Sequence, residues 1–509
     1  MQYHYNLNFF LEEVVKNYPN NIALKYEDKE YTYSEINERA NSHANYLIKQ
    51  NISQGDVIAI ASTKVFEDYA LMVACLKLGV IYTTIDIDNP PERTKHIFNT
   101  CKPKIVFSKE DIQSIIQSCQ SLNISYANYD QIQIDDTTKK NLDSDFDGDT
   151  VAYIMFTSGS TGIPKGAAIT HQNLIHFINW ASTRYNITHN DNFANVSPMY
   201  FDNSVFDFYT AFFNGATLTP IKKALLKDPF NLVQYIDKLK CTILFSVPST
   251  LIYLMTMKVL TKESFNSIRI ITFGGEGYPK TELKKLFALY KGRITFVNVY
   301  GPTECTCICS SYTISESDFK NLNELPSLGV INQNFSYVIL DEKSKRSSEG
   351  ELCLMGPNVG AGYFNDKERT EKTFNTFTDD NHYIKRMYKT GDLVKEVDGL
   401  LYFKGRLDNQ IKHMGYRIEL EEIEIAINSF KQIKQAVAIY KRTNEAFGKI
   451  VAFLVPVNKD IDVSELKINL SQKIPHYMMP SAFQLLDFFP KNPNGKIDKN
   501  QLKEMLSKN

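Results

Sequence analysis

The sequence predicts an α/β protein with three parts. A large N-terminal domain carries mixed, mainly parallel sheets, a β-rich subdomain follows, and a small α+β domain closes the chain. Three observations predict this. Short apolar runs alternate with stretches of helical spacing over roughly the first 300 residues, the pattern of strands joined by helical crossovers. From about residue 320 the strands shorten and turns crowd together, as in SYVILDEKSKRSSEGELCLMG. The last hundred residues then mix helical patterns with the apolar runs AVAIYKRT and KIVAFLVPV. At 509 residues the chain exceeds one ordinary core.

Taken in order, NFFLEEVVKNY has helical spacing, and a short β-like turn follows in ALKYEDKEYTYSEINERANSHANYLIKQ, whose tail again has helical spacing. VIAIAS is a buried strand. DYALMVACLKLG is a helix stopped near Gly79, with VIYTTID and KIVFS as further strands. The six-residue apolar run VAYIMF leads into FTSGSTGIPKG, Phe156 to Gly166. Its glycines let the backbone approach a ligand, successive N–H groups can bind an anion, and Lys165 adds a point charge. The stretch reads as a phosphate-gripping loop, with a polar linker as the weaker alternative. It is not a Walker A loop, because no glycine precedes Lys165 and no Ser or Thr follows it.

HQNLIHFINWASTRY is a helix. FANVSPMYFDNSVFDFY sets Asp202 and Asp207 among Phe and Val, which is costly unless a carboxylate has a partner. One of them could face a cationic ligand, while Asp202 or Asn203 could equally cap the next helix. CTILFSVPST, IRIITFGGEG and ITFVNVYGPTE each read as a strand ending in a polar or glycine-rich turn, where ligands of open α/β sheets collect. Turns are expected at Thr390-Gly391-Asp392, Asp398-Gly399 and Lys404-Gly405. Cys305, Cys307 and Cys309 alternate, which in a strand puts them on one face, as packing rather than as a metal site. ELEEIEIAINSF and SELKINLSQKI are helices, AFQLLDFFP a strand, and KNPNGKIDK a turn before a short last helix.

Composition excludes several classes. A hydrophobic content of 43% with 23% charged residues is that of a globular protein. The formal net charge of −1 gives no bias toward nucleic acid or an acidic membrane. There is no basic, then apolar, leader and no run long enough to span a membrane, so the protein is read as cytoplasmic. Eight cysteines do not make a disulfide scaffold, and the histidines form no zinc-binding pattern.

Several motifs, in order, resemble the adenylate-forming family of acyl-CoA synthetases, luciferases and nonribosomal-peptide adenylation domains. They are FTSGSTGIPKG, YGPTE (Tyr300 to Glu304), YKTGDL (Tyr388 to Leu393), GRLDNQIKHMGYRIELEEIE (Gly405 to Glu424) and NPNGKIDK (Asn492 to Lys499). GELCLMGPNVGAGYF and KLGVIYTTIDIDNPPERTKHIF are weaker matches. The resemblance spans about residues 10 to 505. It implies a two-step reaction. A carboxylate attacks the α-phosphate of ATP and expels pyrophosphate, then a thiol attacks the acyl-adenylate and releases AMP. It also implies roles by position. Thr157, Ser158, Gly159, Ser160, Thr161 and Lys165 would hold the β- and γ-phosphates, and Glu304 would hold Mg²⁺. Tyr300 would stack on adenine and Asn298 bond its edge, beside Gly275, Glu276, Gly301 and Thr303. Asp392 would take the ribose hydroxyls with Arg406 nearby. Lys496 would reach the carboxylate and the α-phosphate, making Lys496, Glu304 and Thr157 the expected catalytic set.

The resemblance further implies domains over 1–407 and 408–509, with Asp408 as the hinge about which the small domain rotates between half-reactions. FDNSVFDFY resembles the FDxSV segment of amino-acid-activating members, whose aspartate pairs with the substrate ammonium; here that is Asp202. The rest of the substrate pocket would be Phe201, Asn203, Phe206, Ser246, Thr272, Gly274, Val299, Cys307 and Ile308. The expectation is a monomeric, stand-alone amino acid–[carrier protein] ligase. It would use ATP and Mg²⁺, load the phosphopantetheine of a separate carrier protein, and bind neither nucleic acid nor membrane. The alternative acceptor is coenzyme A. D-alanine–carrier-protein ligases are similar, but they place a cysteine where this chain has Gly274 in Phe273-Gly274-Gly275-Glu276.

Overall fold

The computed structural model describes residues 4–132, 140–142, 145–378, 382–442, 448–458, 461–492 and 497–507. Lys496 and most of its turn lie outside them. Two large sheets form the N-terminal part. The first has nine strands, of which Leu24, 192–195, 217–220, 243–246, 270–274 and 295–300 run parallel and the edges antiparallel. The second has seven strands, with Ile81–Ile85, Val57–Ala61, Ile105–Ser108 and Ser125–Asn128 parallel beside Val151–Thr157. The helices Phe66–Leu78 and Asn203–Phe212 are buried nearly all round, as expected of helices enclosed by apolar layers. The helix Phe66–Leu78 stops at Gly79, in the left-handed conformation with φ +66°.

A five-stranded antiparallel sheet built on Ile384–Val397 forms the β-rich part. The small C-terminal part has a hairpin, Gln410–His413 with Tyr416–Glu419, and a three-stranded sheet, Ile433–Arg442, Gly448–Pro456 and Ala482–Leu485. Helices Leu420–Asn428, Val463–Ser471 and Lys499–Ser507 accompany it. The fold is thus the large mixed α/β domain, β-rich part and small α+β domain that the sequence pattern predicts. No described helix is long and apolar enough to cross a membrane.

Two expectations are corrected. Thr390–Gly391–Asp392 is not a turn. It lies inside the fourteen-residue strand Ile384–Val397, with bulges where its pairing shifts at Glu351/Cys353 and Leu393/Val394. Lys404–Gly405 likewise lies inside the strand Leu400–Arg406, and Asp398–Gly399 alone is the hairpin turn. The cysteines do not alternate along a strand. Cys305 ends a 3₁₀ turn, Thr306 and Cys307 both have positive φ, and the strand starts only at Ser310. All three are buried, as packing predicts.

Candidate active site

The phosphate-loop candidate is the crest of a hairpin. Strands Val151–Thr157 and Lys165–Thr170 pair antiparallel, with Thr157 opposite Lys165. The six-residue apolar run anchors one arm in the core, so the polar crest must project from the sheet edge. The Thr157 hydroxyl is buried with no partner among the described residues. Ser158 Oγ donates to the Arg417 carbonyl at 2.9 Å, and Thr161 Oγ1 accepts from Arg369 at 2.9 Å, while Ser160 is exposed. The Gly159 N–H donates to Glu422 Oε2 at 3.3 Å. The Lys165 ammonium lies 3.8 Å from both Glu304 and Glu419. Burial, then the Arg417 charge, lowers its pKa to about 8 against the pull of the two glutamates.

Glu304 follows the strand Thr295–Tyr300, in the 3₁₀ turn Thr303–Cys305, and is fully buried. Tyr363 O–H donates to one carboxylate oxygen at 2.7 Å and Arg417 Nη1 to the other at 2.8 Å. Burial alone would raise its pKa. Arg417 and then Lys165 outweigh that and hold the carboxyl well below the usual range. With both oxygens engaged by protein donors, a divalent cation does not fit on Glu304 in this arrangement.

Beside this cluster opens a cavity of ≈ 530 Å³. Gly275, Glu276, Asn298, Tyr300, Asp392 and Arg406 line it from the large domain, and Lys412, Tyr440, Arg442 and Lys499 from the small one. Tyr300 O–H donates to Asp392 Oδ2 at 2.5 Å and Arg406 Nη1 to Asp392 Oδ1 at 2.6 Å. Arg406 also forks onto Asp408 through Nε at 2.7 Å and Nη2 at 2.6 Å. Asn298 Nδ2 donates to the Ser327 carbonyl at 2.7 Å. Glu276 accepts from the backbone of Ser249 at 2.6 Å and of Gly415 at 3.0 Å. The Lys412 ammonium sits 5.9 Å from the Tyr300 ring centroid, and burial lowers its pKa, opposed by Asp392.

A smaller cavity of ≈ 80 Å³ lies beside the loop. Phe201, Asp202, Asn203, Val299, Gly301, Thr303 and Cys307 line it together with Thr157 and Ser158. Asp202 occupies the N-cap position of the helix Asn203–Phe212, yet its side chain makes no capping bond. Its Oδ2 accepts from Thr303 Oγ1 at 2.6 Å, and burial raises its pKa. Of the remaining expected pocket residues, Phe206, Ser246, Thr272, Gly274 and Ile308 are buried outside this lining. Phe206 packs on Phe245, which does line it, with ring centroids 5.5 Å apart. Ser246 Oγ and Thr272 Oγ1 are buried without partners among the described residues.

With that geometry in view, two family matches decide the class. The AMP-binding enzyme family matches residues 11–364, and the AMP-binding enzyme C-terminal domain matches residues 422–496. The chain belongs to the AMP-binding enzyme family.

Among relatives of this AMP-binding enzyme, tyrocidine synthase 1 of Brevibacillus parabrevis is 30% identical over 509 residues, covering 98% of this chain and 45% of the relative. Bacitracin synthase 1 of Bacillus licheniformis is 33% identical over 505 residues, covering 98% and 9%. The chain therefore spans less than half the length of these peptide synthases. The D-alanine–D-alanyl carrier protein ligase of Bacillus cytotoxicus is 29% identical over 493 residues, covering 95% and 96%. Among solved structures, the Vibrio cholerae adenylation domain AlmE, in complex with glycyl-adenosine-5′-phosphate, superposes with a TM-score of 0.84 at 21% identity, covering 100% and 99%. The o-succinylbenzoate CoA synthetase of Bacillus subtilis superposes with a TM-score of 0.86 at 22% identity, covering 98% of each chain.

Sequence reasoning missed four charged residues where the small domain of this AMP-binding enzyme meets the large one: Arg93, Arg417, Glu419 and Glu422. All are buried or nearly so. Arg417, Glu419 and Glu422 sit inside a quoted motif, and Arg93 inside a weaker one, but their ion-pair partners lie more than a hundred residues away.

Proposed function

We propose that this AMP-binding enzyme activates an amino acid as its aminoacyl-adenylate and transfers it to the phosphopantetheine thiol of a separate carrier protein. The observation that carries the amino-acid reading is Asp202. Its carboxylate lines the small cavity next to the phosphate loop, makes no cap, and takes its hydrogen bond from Thr303. A half-buried carboxylate at that point is matched by an ammonium. The ≈ 80 Å³ cavity and the rings of Phe201 and Phe245 suit a small or medium side chain.

In the first half-reaction the substrate carboxylate oxygen bonds to the α-phosphorus of ATP and pyrophosphate leaves. In the second, the thiol sulfur bonds to the acyl carbon, the proton goes to solvent or base, and AMP leaves. Gly275, Tyr300, Asn298 and Asp392 are assigned to the adenosine. The hairpin crest Thr157–Lys165 is assigned to the phosphates, and Lys496 to the reacting carboxylate. ATP is the co-substrate. No step is assigned to a cation at Glu304, whose oxygens are engaged.

The test is amino-acid-dependent pyrophosphate exchange over the proteinogenic amino acids and D-alanine. Exchange with one or a few small amino acids is expected. Loss of a buried charge-assisted contact typically costs 2–5 kcal/mol, so Asp202→Asn should lower kcat/KM for that amino acid by roughly 10²-fold or more. Exchange with aryl or fatty acids alone would sink the amino-acid reading. A second acceptor, coenzyme A, is favoured by one observation: Arg442, Lys499 and Lys503 all line the outer cavity, a cationic set suited to phosphates. Thioester formed on coenzyme A as fast as on a holo carrier protein would select it.

A further inference from the structure

The weakly matching motif DNPPERTKHIF has no part in the reading above, yet the structure places its helix, Pro91–Cys101, against the small domain. Arg93 is 6% exposed and Glu422 4%, and the two form an ion pair across 329 residues of sequence. The neighbouring Glu92 meets Lys473 at 3.3 Å. Glu422 does more than pair with Arg93. One of its oxygens goes to the guanidinium and the other accepts the Gly159 N–H at the hairpin crest. Around this contact the small domain closes on the crest. Ser158 Oγ donates to the Arg417 carbonyl, and Ile425 lies so close to Gly162 that a Cβ there would approach it to 3.1 Å. On the far side Arg417 fills Glu304.

The hairpin crest is therefore occupied by an anion of the protein's own, a carboxylate on a backbone N–H, and the acidic Glu304 by a cation of the protein's own. These are the two kinds of ligand that polyphosphate with its counter-ion would bring. We propose that Arg93 and Glu422 form a latch that holds the small domain on the phosphate loop, so that pyrophosphate or the β- and γ-phosphates of ATP and the latch exclude each other. The inference rests on the adenylating reading of the loop.

Its consequence is directional. The arrangement described here retains the adenosine wall, with Tyr300, Asp392 and Gly275 open to the large cavity, while the loop is filled. It suits a step in which an adenylate is bound and pyrophosphate has left. The latch would bias the enzyme toward thiol transfer after pyrophosphate departs and would have to open before the next ATP binds. Arg93 and Glu422 are positioning residues, since they act by holding Arg417 and the hairpin Gln410–Glu419 in place.

The experiment measures binding, without amino acid or thiol. Mg·ATP and inorganic pyrophosphate are titrated calorimetrically into the wild type, Glu422→Gln and Arg93→Gln, with circular dichroism to check that each is folded. Because the internal competitor is weakened, both variants should bind the polyphosphates more tightly, by about tenfold for a loss of about 1.4 kcal/mol in the closed arrangement. Single-turnover transfer from preformed aminoacyl-adenylate should slow in the same variants while pyrophosphate exchange is kept. A merely structural role would weaken binding and slow both half-reactions together. Unchanged or weaker binding in folded variants overturns the latch. Failure of the wild type to bind either polyphosphate overturns the adenylating reading, and the latch with it. A negative amino-acid panel with the binding effect intact leaves the latch standing and removes the substrate assignment alone.

Discussion

Asp207 shows how two carboxylates five residues apart diverge. Both Asp202 and Asp207 sit in one apolar stretch, and nothing in the local sequence says which faces a ligand. In the structure Asp207 is on the core side. Its Oδ2 accepts from Asn195 Nδ2 at 3.0 Å, and its Oδ1 has no partner among the described residues. Nearby, the buried Lys64 ammonium donates to the carbonyls of Asn195 at 2.7 Å, Ile221 at 3.1 Å and Val196 at 3.2 Å. Burial pushes Asp207 up to about 8, opposed by the Asn195 bond and the Lys64 charge. Burial likewise brings Lys64 down to about 7. The signs are opposite. Asp207 keeps a proton in the folded state that the unfolded chain releases, so its contribution to stability falls as pH rises from the carboxylate range to about 8, by at most about 1.4 kcal/mol per pH unit. Lys64 releases a proton that the unfolded chain keeps, so its contribution rises with pH from about 7 toward the ordinary lysine range. Asp207→Asn removes the first slope and also takes away the negative charge that raises Lys64. Its melting temperature relative to wild type should climb between pH 5 and pH 8 and level off above. A difference that stays constant over that range would contradict a carboxyl kept neutral by burial.

At the scale of elements, what was legible followed periodicity, and what was not followed long-range pairing. The strand–helix alternation up to Tyr300, the Gly79 stop and the loop between Phe156 and Gly166 could be read from local residues. The Thr390–Gly391–Asp392 segment could not. Gly391 has φ +71°, which looks like a turn in sequence, but pairing with Glu349–Met355 on one side and Leu400–Arg406 on the other carries the strand through it. The alternation of Cys305, Cys307 and Cys309 misled for a similar reason, since positive φ at Thr306 and Cys307 breaks the strand period. At the site, Tyr300, Asp392 and Arg406 were legible as motif members, and the structure brings them into contact. Arg93 with Glu422 was not, because a charge in a helix is normally read as solvated until its partner is known. The hairpin Gln410–His413/Tyr416–Glu419 shows what such an element can decide. Its tip residue Gly415 has φ +82°, donates its N–H to Glu276, and leaves room for a Cβ only 2.8 Å from Val247 Cγ1. Gly415→Val adds both a clash and a left-handed backbone cost of about 1–2 kcal/mol. Pyrophosphate exchange should survive in that variant and thiol transfer fall about tenfold or more, measured as single-turnover thioester formation. Equal loss in both steps would show that the tip serves folding rather than one arrangement of the hairpin.

For the whole molecule, the question is whether the small domain is an independent body. Among the described residues, its buried apolar side chains fall into two clusters. One gathers Ile418, Ile423, Ala438, Ala452 and Leu470 with their neighbours, and the other Val437, Phe453, Phe489, Leu502 and Leu506. Neither includes a residue of the large domain. What joins the two bodies is mostly polar: Arg93 with Glu422, Glu92 with Lys473, Arg417 with Glu304, and the backbone of Gly415 with Glu276. Bodies with separate cores and a polar interface are expected to move relative to one another. The boundary at Asp408 is our proposal, and it makes a direct prediction. Residues 408–509 expressed alone should fold, with mixed α and β circular dichroism and one cooperative thermal transition. The interface charges Lys412, Arg417 and Glu422 would simply become solvated, and a charge released from burial costs nothing further. Because a domain of this size buries a smaller share of its surface than the whole chain does, its transition should lie below that of the full protein. A non-cooperative melt would mean that the small domain borrows its core from the large one, and the boundary, with the rotation it permits, would have to be moved.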